Sequence, residues 1–286
     1  MSWSPASGRK EIEAALREVG GQPDSEIAIA EAALLLAALN RPRVPLERYV
    51  HHLSLLTRDT ADLGAKHGAA ESLAGRLEAL RAVIHERYEY GGDRLGYDNL
   101  QNANLMRVID RRKGLPVALG ILYLHAARAQ GWEIEGLNFP SHFMLRLTLG
   151  SERAIVDPFN GGATRSPAEL REILRALTGE QAELRPEHSE PVSDREVLLR
   201  LQNNIKLRRI KEQRPAEALE VVESMLMIAP GKAEIWREAG VLNAHLGNLR
   251  AATTALEHFL ALGGDADPQT RHEAAVLLQK IRSRIH

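Results

Sequence analysis

The stretch Leu115–Gln130 is apolar nearly all round. Leu115, Leu119, Leu122 and Ala126 line one helical face, and Ala118, Ile121 and Leu124 fill much of another. A helix with so little polar surface has no side to give to water, so other elements must wrap it. Pro116 occupies a first-turn position, where its missing N–H costs nothing, and Gly131 ends the helix. Three short strand-like runs follow: Ile134–Phe139, Phe143–Leu149 and Ala154–Val156. The polar residues from Thr148 to Arg153 join the last two as in a hairpin. The pattern predicts a buried helix packed on a small antiparallel sheet, the core of an α+β fold.

Before this core the chain reads as a helical N-terminal layer. Ile12, Ala15, Leu16 and Val19 fall at helical spacing, and Gly20-Gly21 stops that helix. Asp24 or Ser25 is positioned to cap an apolar helix over Ala28–Leu39. Pro42 and Pro45 precede a helix carrying Leu46, Val50, Leu53 and Leu56, and a longer helix is expected to run to about Ile84. Tyr90-Gly91-Gly92-Asp93 is a turn signal. A short helix over Asn104–Lys113 ends at Gly114.

The last third repeats. Leu199 and Ala233, Ala218 and Ala252, and Met225 and Phe259 each stand 34 residues apart, as do Arg214 and Asn248 at the inter-helix turns. This period, with small residues at the crossing and Pro230 closing the first unit, is the tetratricopeptide signature. Gly240 and Gly247 fit it. Lys206 stands where a small residue is usual, so the first unit is degenerate. Two units fall short of the three such an array needs, so they are expected to dock on the preceding domain or on a final helix, His272–Ile285. Pro186–Pro191 reads as the linker, and Ser193-Asp194-Arg195-Glu196 as a capping box opening the first repeat helix. The expected domains are 1–190, helical layer and core, and 191–286, repeats.

Composition narrows the function. The 286 residues carry 37 basic and 38 acidic side chains, a net charge of -1, so no global field draws the chain to nucleic acid or an anionic membrane. The cysteine count is zero, which removes disulfides, zinc ribbons, thiolate-held clusters and any thiol nucleophile. Met1-Ser2-Trp3-Ser4-Pro5 has no apolar signal core behind it, and the longest apolar stretch is too short to span a bilayer. A cytoplasmic protein with no membrane partner is expected.

Chemistry concentrates in the sheet. Asn138-Phe139-Pro140-Ser141-His142-Phe143 places a histidine at the start of one strand, and Val156-Asp157-Pro158-Phe159-Asn160-Gly161-Gly162 places an aspartate at the end of the next. Antiparallel neighbours joined by a short turn bring those two ends together, so His142 and Asp157 are expected to meet. An aspartate on one ring nitrogen fixes the tautomer and leaves the other nitrogen as a base. The pair reads either as a structural tie between strands or as a water-activating or metal-ligating pair.

These motifs resemble a known family. A buried helix opening at the nucleophile, then a strand with His, then a strand with Asp, is the chain order of papain-like and transglutaminase-like folds. Asn104-Leu105, Arg111-Arg112-Lys113-Gly114-Leu115-Pro116-Val117-Ala118-Leu119, Asn138 to Phe143 and Asp157 to Gly162, followed by the repeats, resemble the SirB-type proteins. These join a transglutaminase-like domain to tetratricopeptide repeats, and the resemblance covers roughly residues 26–270. It implies that the family's cysteine, two residues after a glycine at the start of the buried helix, falls at Pro116. A pyrrolidine ring has no nucleophilic atom, so thiol acyl transfer is impossible there.

No substitute nucleophile stands out. Ser141 is expected to point away from His142 along an extended strand. Tyr123 shares the face of Pro116 two turns along, and His125 is half a turn out of phase. Asn102 and Asn104 are candidates to aim amides into a cleft, with helix capping the favoured reading for Asn104, which precedes Leu105-Met106-Arg107, and Asn138 is a candidate to hold backbone near His142. His51 and His52 cannot face one site together, and His67, His85 and His188 lack zinc spacing. Arg107, Arg111, Arg112 and Lys113 form a basic cluster, read as a solvated face or a site for an acidic peptide. Lys206, Arg208, Arg209 and Lys211 form another, and few aromatics accompany them for nucleic-acid binding. The expectation is a non-catalytic pseudoenzyme serving as a protein- or peptide-interaction module, regulatory or scaffolding, without metal or cofactor. Its vestigial cleft would comprise Asn102, Asn104, Pro116, Asn138 and Ser141 beside His142 and Asp157. The competing expectation is a hydrolase using His142 and Asp157 with water or a divalent metal.

Overall fold

The computed structural model describes residues 8–285, so the opening Met1–Pro5 lies outside them. In chain order come α1 (Arg9–Gly21), α2 (Ile29–Leu39), α3 (Glu47–Lys66), α4 (Leu73–Arg81), β1 (Gly91–Gly92), α5 (Leu105–Arg111), β2 (Lys113–Gly114) and α6 (Pro116–Arg128). Then follow β3 (Glu133–Leu137), β4 (Met144–Leu149), β5 (Glu152–Asp157), β6 (Ala163–Thr164), α7 (Pro167–Thr178), β7 (Pro191–Val192) and α8 (Asp194–Lys211). The chain closes with α9 (Pro215–Ile228), α10 (Ala233–His245), α11 (Leu249–Leu262) and α12 (Pro268–Ile285). No helix among the described residues is long and apolar enough to cross a membrane.

The contacts divide the chain into two units, 1–12 with 23–201, and 13–22 with 202–286. In the first, α6 is the buried helix that its composition requires. Pro116 stands at its first position, and Val117 to Leu122 are all buried. It packs against β3, β4, α2 and α3. The sheet is antiparallel, in the order β6-β5-β4-β3-β7. Within it β4 and β5 form the expected hairpin, pairing Leu145 with Val156 and Leu149 with Glu152. The Phe143 ring wedges between helix and sheet. A Cβ on Gly120 would lie 2.4 Å from that ring and one on Gly136 2.7 Å from it, so only glycine admits this approach.

Several local expectations are corrected. Asp24–Glu26 forms a short 3-10 turn, and α2 begins at Ile29 with Ala28 at the N-cap and no side-chain cap. The longer helix is α3, which ends at Lys66. The next, α4, passes into a π-helical turn over Ala82–Arg87. Gly91–Gly92 is not a free turn but pairs in parallel with Lys113–Gly114. The presumed linker Pro186–Pro191 is drawn into the sheet, because Pro191–Val192 pairs with Gly136 and Leu137 at an edge, where a proline is tolerated. A helix not anticipated, α7, starts with a full capping box between Ser166 and Glu169.

In the second unit the period is kept to the residue. α9 and α11 begin 34 residues apart, at Pro215 and Leu249, and end 34 apart, at Ile228 and Leu262. Ala218 and Ala252 are fully buried at the crossings. The final helix supplies the missing layer: Ala274, Leu278 and Ile281 of α12 join Ala252, Leu256 and Phe259 in one core. At the start of α8 the expected capping box is formed. Glu196 N–H donates to Ser193 Oγ (3.3 Å) and Ser193 N–H to Glu196 Oε2 (3.1 Å).

A buried polar cluster ties the helical layer of the first unit together. His52 Nε2 accepts from Arg112 Nη1 (2.8 Å) and bonds the Tyr90 hydroxyl (2.7 Å). Burial, aided by the charge of Arg112, pulls the His52 pKa down to about 4. The folded protein therefore keeps His52 neutral at pH values where the unfolded chain protonates it. Stability should be full above pH 6.5 and decline by on the order of 3 kcal/mol as pH falls to about 4. Chemical denaturation across that window reads the slope, which should flatten in His52→Gln.

Candidate functional site

His142 and Asp157 do meet. Nε2 of His142 lies 2.9 Å from Asp157 Oδ1, with the histidine side chain 11% exposed and the aspartate 0%. The register explains it: Leu145 pairs with Val156, so the residues just beyond this end of the ladder converge. His142 is not in the strand, which starts at Met144. It follows a turn in which Ser141 adopts φ 57°, a left-handed conformation that disfavours a side chain. The extended-strand expectation for Ser141 is thereby corrected.

Asp157 ends β5 and caps the 3-10 turn Pro158–Asn160. Its Oδ1 accepts from the backbone N–H of Phe159 (3.2 Å) and Asn160 (3.3 Å) as well as from His142. Its Oδ2 accepts from Asn160 Nδ2 (2.7 Å) and from Arg165 Nε (3.2 Å) and Nη2 (3.0 Å). Burial alone would push this carboxyl up. The bonds from His142, Asn160 and Arg165 outweigh it and hold the pKa at about 2. Asp157 is thus a fixed anion whose charge is shared between Arg165 and His142.

With Nε2 donating to the carboxylate, Nδ1 of His142 is the nitrogen left for anything the site holds. The Phe159 ring stands edge-on to the imidazole, centroids 6.1 Å apart, and the Tyr97 ring stands edge-on to Phe159 at 5.7 Å. Arg94 hydrogen-bonds Asn160 Oδ1. The loop from Gly92 to Tyr97 therefore lies against the Asp157 turn. Pro116 is buried at the first position of α6 and brings no nucleophile.

The two asparagine candidates do other work. Asn102 donates from Nδ2 to Gly96 O (2.7 Å) and accepts from Arg111 Nη1 (2.7 Å). Asn104 caps α5, accepting from Arg107 N–H (3.0 Å), and donates to Ala37 O (3.0 Å). Both amides have both ends engaged, Asn102 by a backbone carbonyl and the Arg111 side chain and Asn104 by backbone groups. Asn138 is exposed, and its backbone N–H donates to Glu190 O (2.9 Å). His125 Nε2 sits 3.2 Å from both Thr57 Oγ1 and Leu53 O, as an inter-element histidine. Among the described residues no group of three or more His, Cys, Asp or Glu side chains is arranged to hold a metal ion.

Two supports escaped the sequence. Arg200 of α8 donates from Nη2 to the carbonyls of Phe139 (2.7 Å) and His142 (2.5 Å) and lies over the Phe143 ring, clamping the turn that presents His142. Behind Asp157, His85 Nδ1 donates to Tyr90 O (2.6 Å), so its Nε2 accepts from the Tyr123 hydroxyl (2.8 Å). Burial lowers the pKa of His85 and raises that of Tyr123, which keeps both neutral. Gly162, at φ +71°, rests on this pair. A Cβ there would fall 2.2 Å from the Tyr123 oxygen.

Comparison with known proteins fits this geometry. Residues 46–203 match the transglutaminase-like superfamily, and residues 205–279 match the tetratricopeptide repeat. The chain belongs to the transglutaminase-like superfamily. A UPF0162 protein of Vibrio cholerae is 30% identical over 233 residues, covering 81% of this chain and 85% of that one. A UPF0162 protein of Pseudomonas aeruginosa is 29% identical over 245 residues, 85% of this chain and 88% of that one. A segment of 84 residues is 39% identical to human F-box only protein 21, covering 29% of this chain and 13% of that one. The SirB-type arrangement read from the motifs, a transglutaminase-like domain followed by repeats, is the one these matches describe.

Two substitutions probe the site's energetics. Ser141→Gly relieves the left-handed strain and should stabilise the fold by about 1 kcal/mol in urea titration. Asp157→Asn turns a donor toward Arg165 and Asn160 and should cost about 3 kcal/mol by the same measurement.

Proposed function

We propose that this chain is a non-catalytic member of its superfamily that works by recognition, as a protein- or peptide-interaction module. The observation that carries this reading is at the helix mouth: Pro116 stands where the resemblance places the thiol, in a chain with no cysteine at all. An acyl transfer needs an attacking atom, and the pair behind it retains only the part that would orient a base. The sharing of Asp157 with Arg165 supports the same reading, since a carboxylate already paired with a guanidinium has less to give an imidazolium forming at His142. Losing one member of a unit that acts together forfeits most of its rate.

Recognition, by contrast, has surfaces to use. The repeat unit exposes apolar side chains along its first helices, and repeat arrays of this kind bind through such faces. Regulation or scaffolding in the cell's interior is the setting we assign to it.

A specific observation keeps a hydrolase as the second reading: the His142–Asp157 contact has ordinary hydrogen-bond length, 2.9 Å, with Nδ1 turned from the carboxylate. Turnover of ester, amide and thioester probes by the purified chain separates the two. The recognition reading expects no rate above buffer that His142→Ala removes. A rate abolished by His142→Ala and retained by Pro116→Ala would establish the hydrolase instead.

A further inference from the structure

The second unit carries a groove of about 770 Å³ between α8 and α10. Its floor is apolar and exposed: Leu207 is 61% accessible, Ile210 48% and Val241 44%. Leu207 and Val241 stand 34 residues apart, so equivalent positions of successive repeats present the same kind of side chain to the same face. A second hollow of about 520 Å³ continues from it, sharing Val241 and His245 and reaching Leu277 on α12. Three large aliphatic side chains left in water along one channel are a cost that a partner recovers on docking.

Charge says what the partner is like. Around the two hollows stand four basic side chains, Lys206, Arg237, Lys280 and Arg284, against one acid, Glu238. That acid is already taken, because Lys206 Nζ donates to Glu238 Oε2 at 2.6 Å. Arg237, Lys280 and Arg284 form no ion pair among the described residues, so the channel is basic within a chain whose net charge is -1. No Phe, Tyr or Trp lines either hollow, and His245 is the one ring there, so the channel lacks the row of stacking platforms on which single-stranded nucleic acid rests.

We infer that this channel docks an acidic segment of another polypeptide, with aliphatic side chains on Leu207, Ile210 and Val241 and its carboxylates toward Arg237, Lys280 and Arg284. The inference rests on the recognition reading and gives it a partner chemistry. Apolar contact supplies affinity, and the basic rim selects sign and register.

The test is a display library of random fourteen-residue peptides panned against the full chain, with one selected peptide then measured by fluorescence anisotropy. Enriched peptides should combine Asp or Glu with Leu, Ile or Phe. The double variant Arg237→Glu with Lys280→Glu should weaken the measured peptide at least about tenfold, and Val241→Arg should block it. Panning against the charge-reversed variant should enrich Lys and Arg, a gain that a misfolded variant cannot produce. Peptides that are neutral or basic but still blocked by Val241→Arg would overturn the acidic partner while leaving the recognition reading intact. No enrichment at all would defeat both. A single-stranded oligonucleotide that displaces the measured peptide, with a steep salt dependence, would replace the peptide with nucleic acid as the occupant.

Discussion

The carboxylate of Asp157 is the point on which the candidate site turns. It is fully buried, and an unpaired anion there would be prohibitive, so everything around it is arranged to donate to it. His142 approaches from the turn before β4, Arg165 from beyond β6, and Asn160 with the Phe159 N–H from the capped turn. Because these donors come from three places in the sequence, one side chain fixes the sheet edge, the turn and the histidine together. That gives the pair a structural reason to persist whether or not it has a nucleophile to activate. Its donors would be left unpaired if the carboxylate went.

The same constraint reaches outward. Arg200 holds the carbonyls on either side of the strained Ser141, so the orientation of His142 is set from α8 as well as from the sheet. The neutral His85–Tyr123 pair backs the glycine loop that follows Asp157, with His85 presented from a π-helical turn. Such turns often mark sites whose geometry is demanding. The site has kept its scaffolding and has no attacking atom at the head of α6.

What the sequence disclosed and what it hid follow the range of the interactions. The helix over Pro116–Arg128, the hairpin over Met144–Asp157 and the repeat period are written in local patterning, and a hairpin register forces His142 onto Asp157. The capping box that starts α7 was equally local and open to reading at Ser166 and Glu169. By contrast, β1, β2 and β7 are two residues long and leave no periodic trace. The His85–Tyr123 contact joins residues 38 apart on different helices, and Arg200 reaches back some sixty residues, so neither has a sequence spacing to betray it. Asn104 was legible as a helix cap, and it caps α5. The partners of Asn102 were not legible: its buried amide is satisfied by the Gly96 carbonyl and the Arg111 guanidinium, neither of which its spacing announces.

Whether recognition has replaced bond-breaking comes down to covalent chemistry at one hollow. Intact-mass spectrometry of the purified chain after incubation with an activated acyl donor, followed by peptide mapping, measures it directly. The account predicts an unmodified mass around Pro116, His142 and Ser141. A stoichiometric acyl adduct on Ser141 or His142, lost on substitution of Asp157, would contradict it.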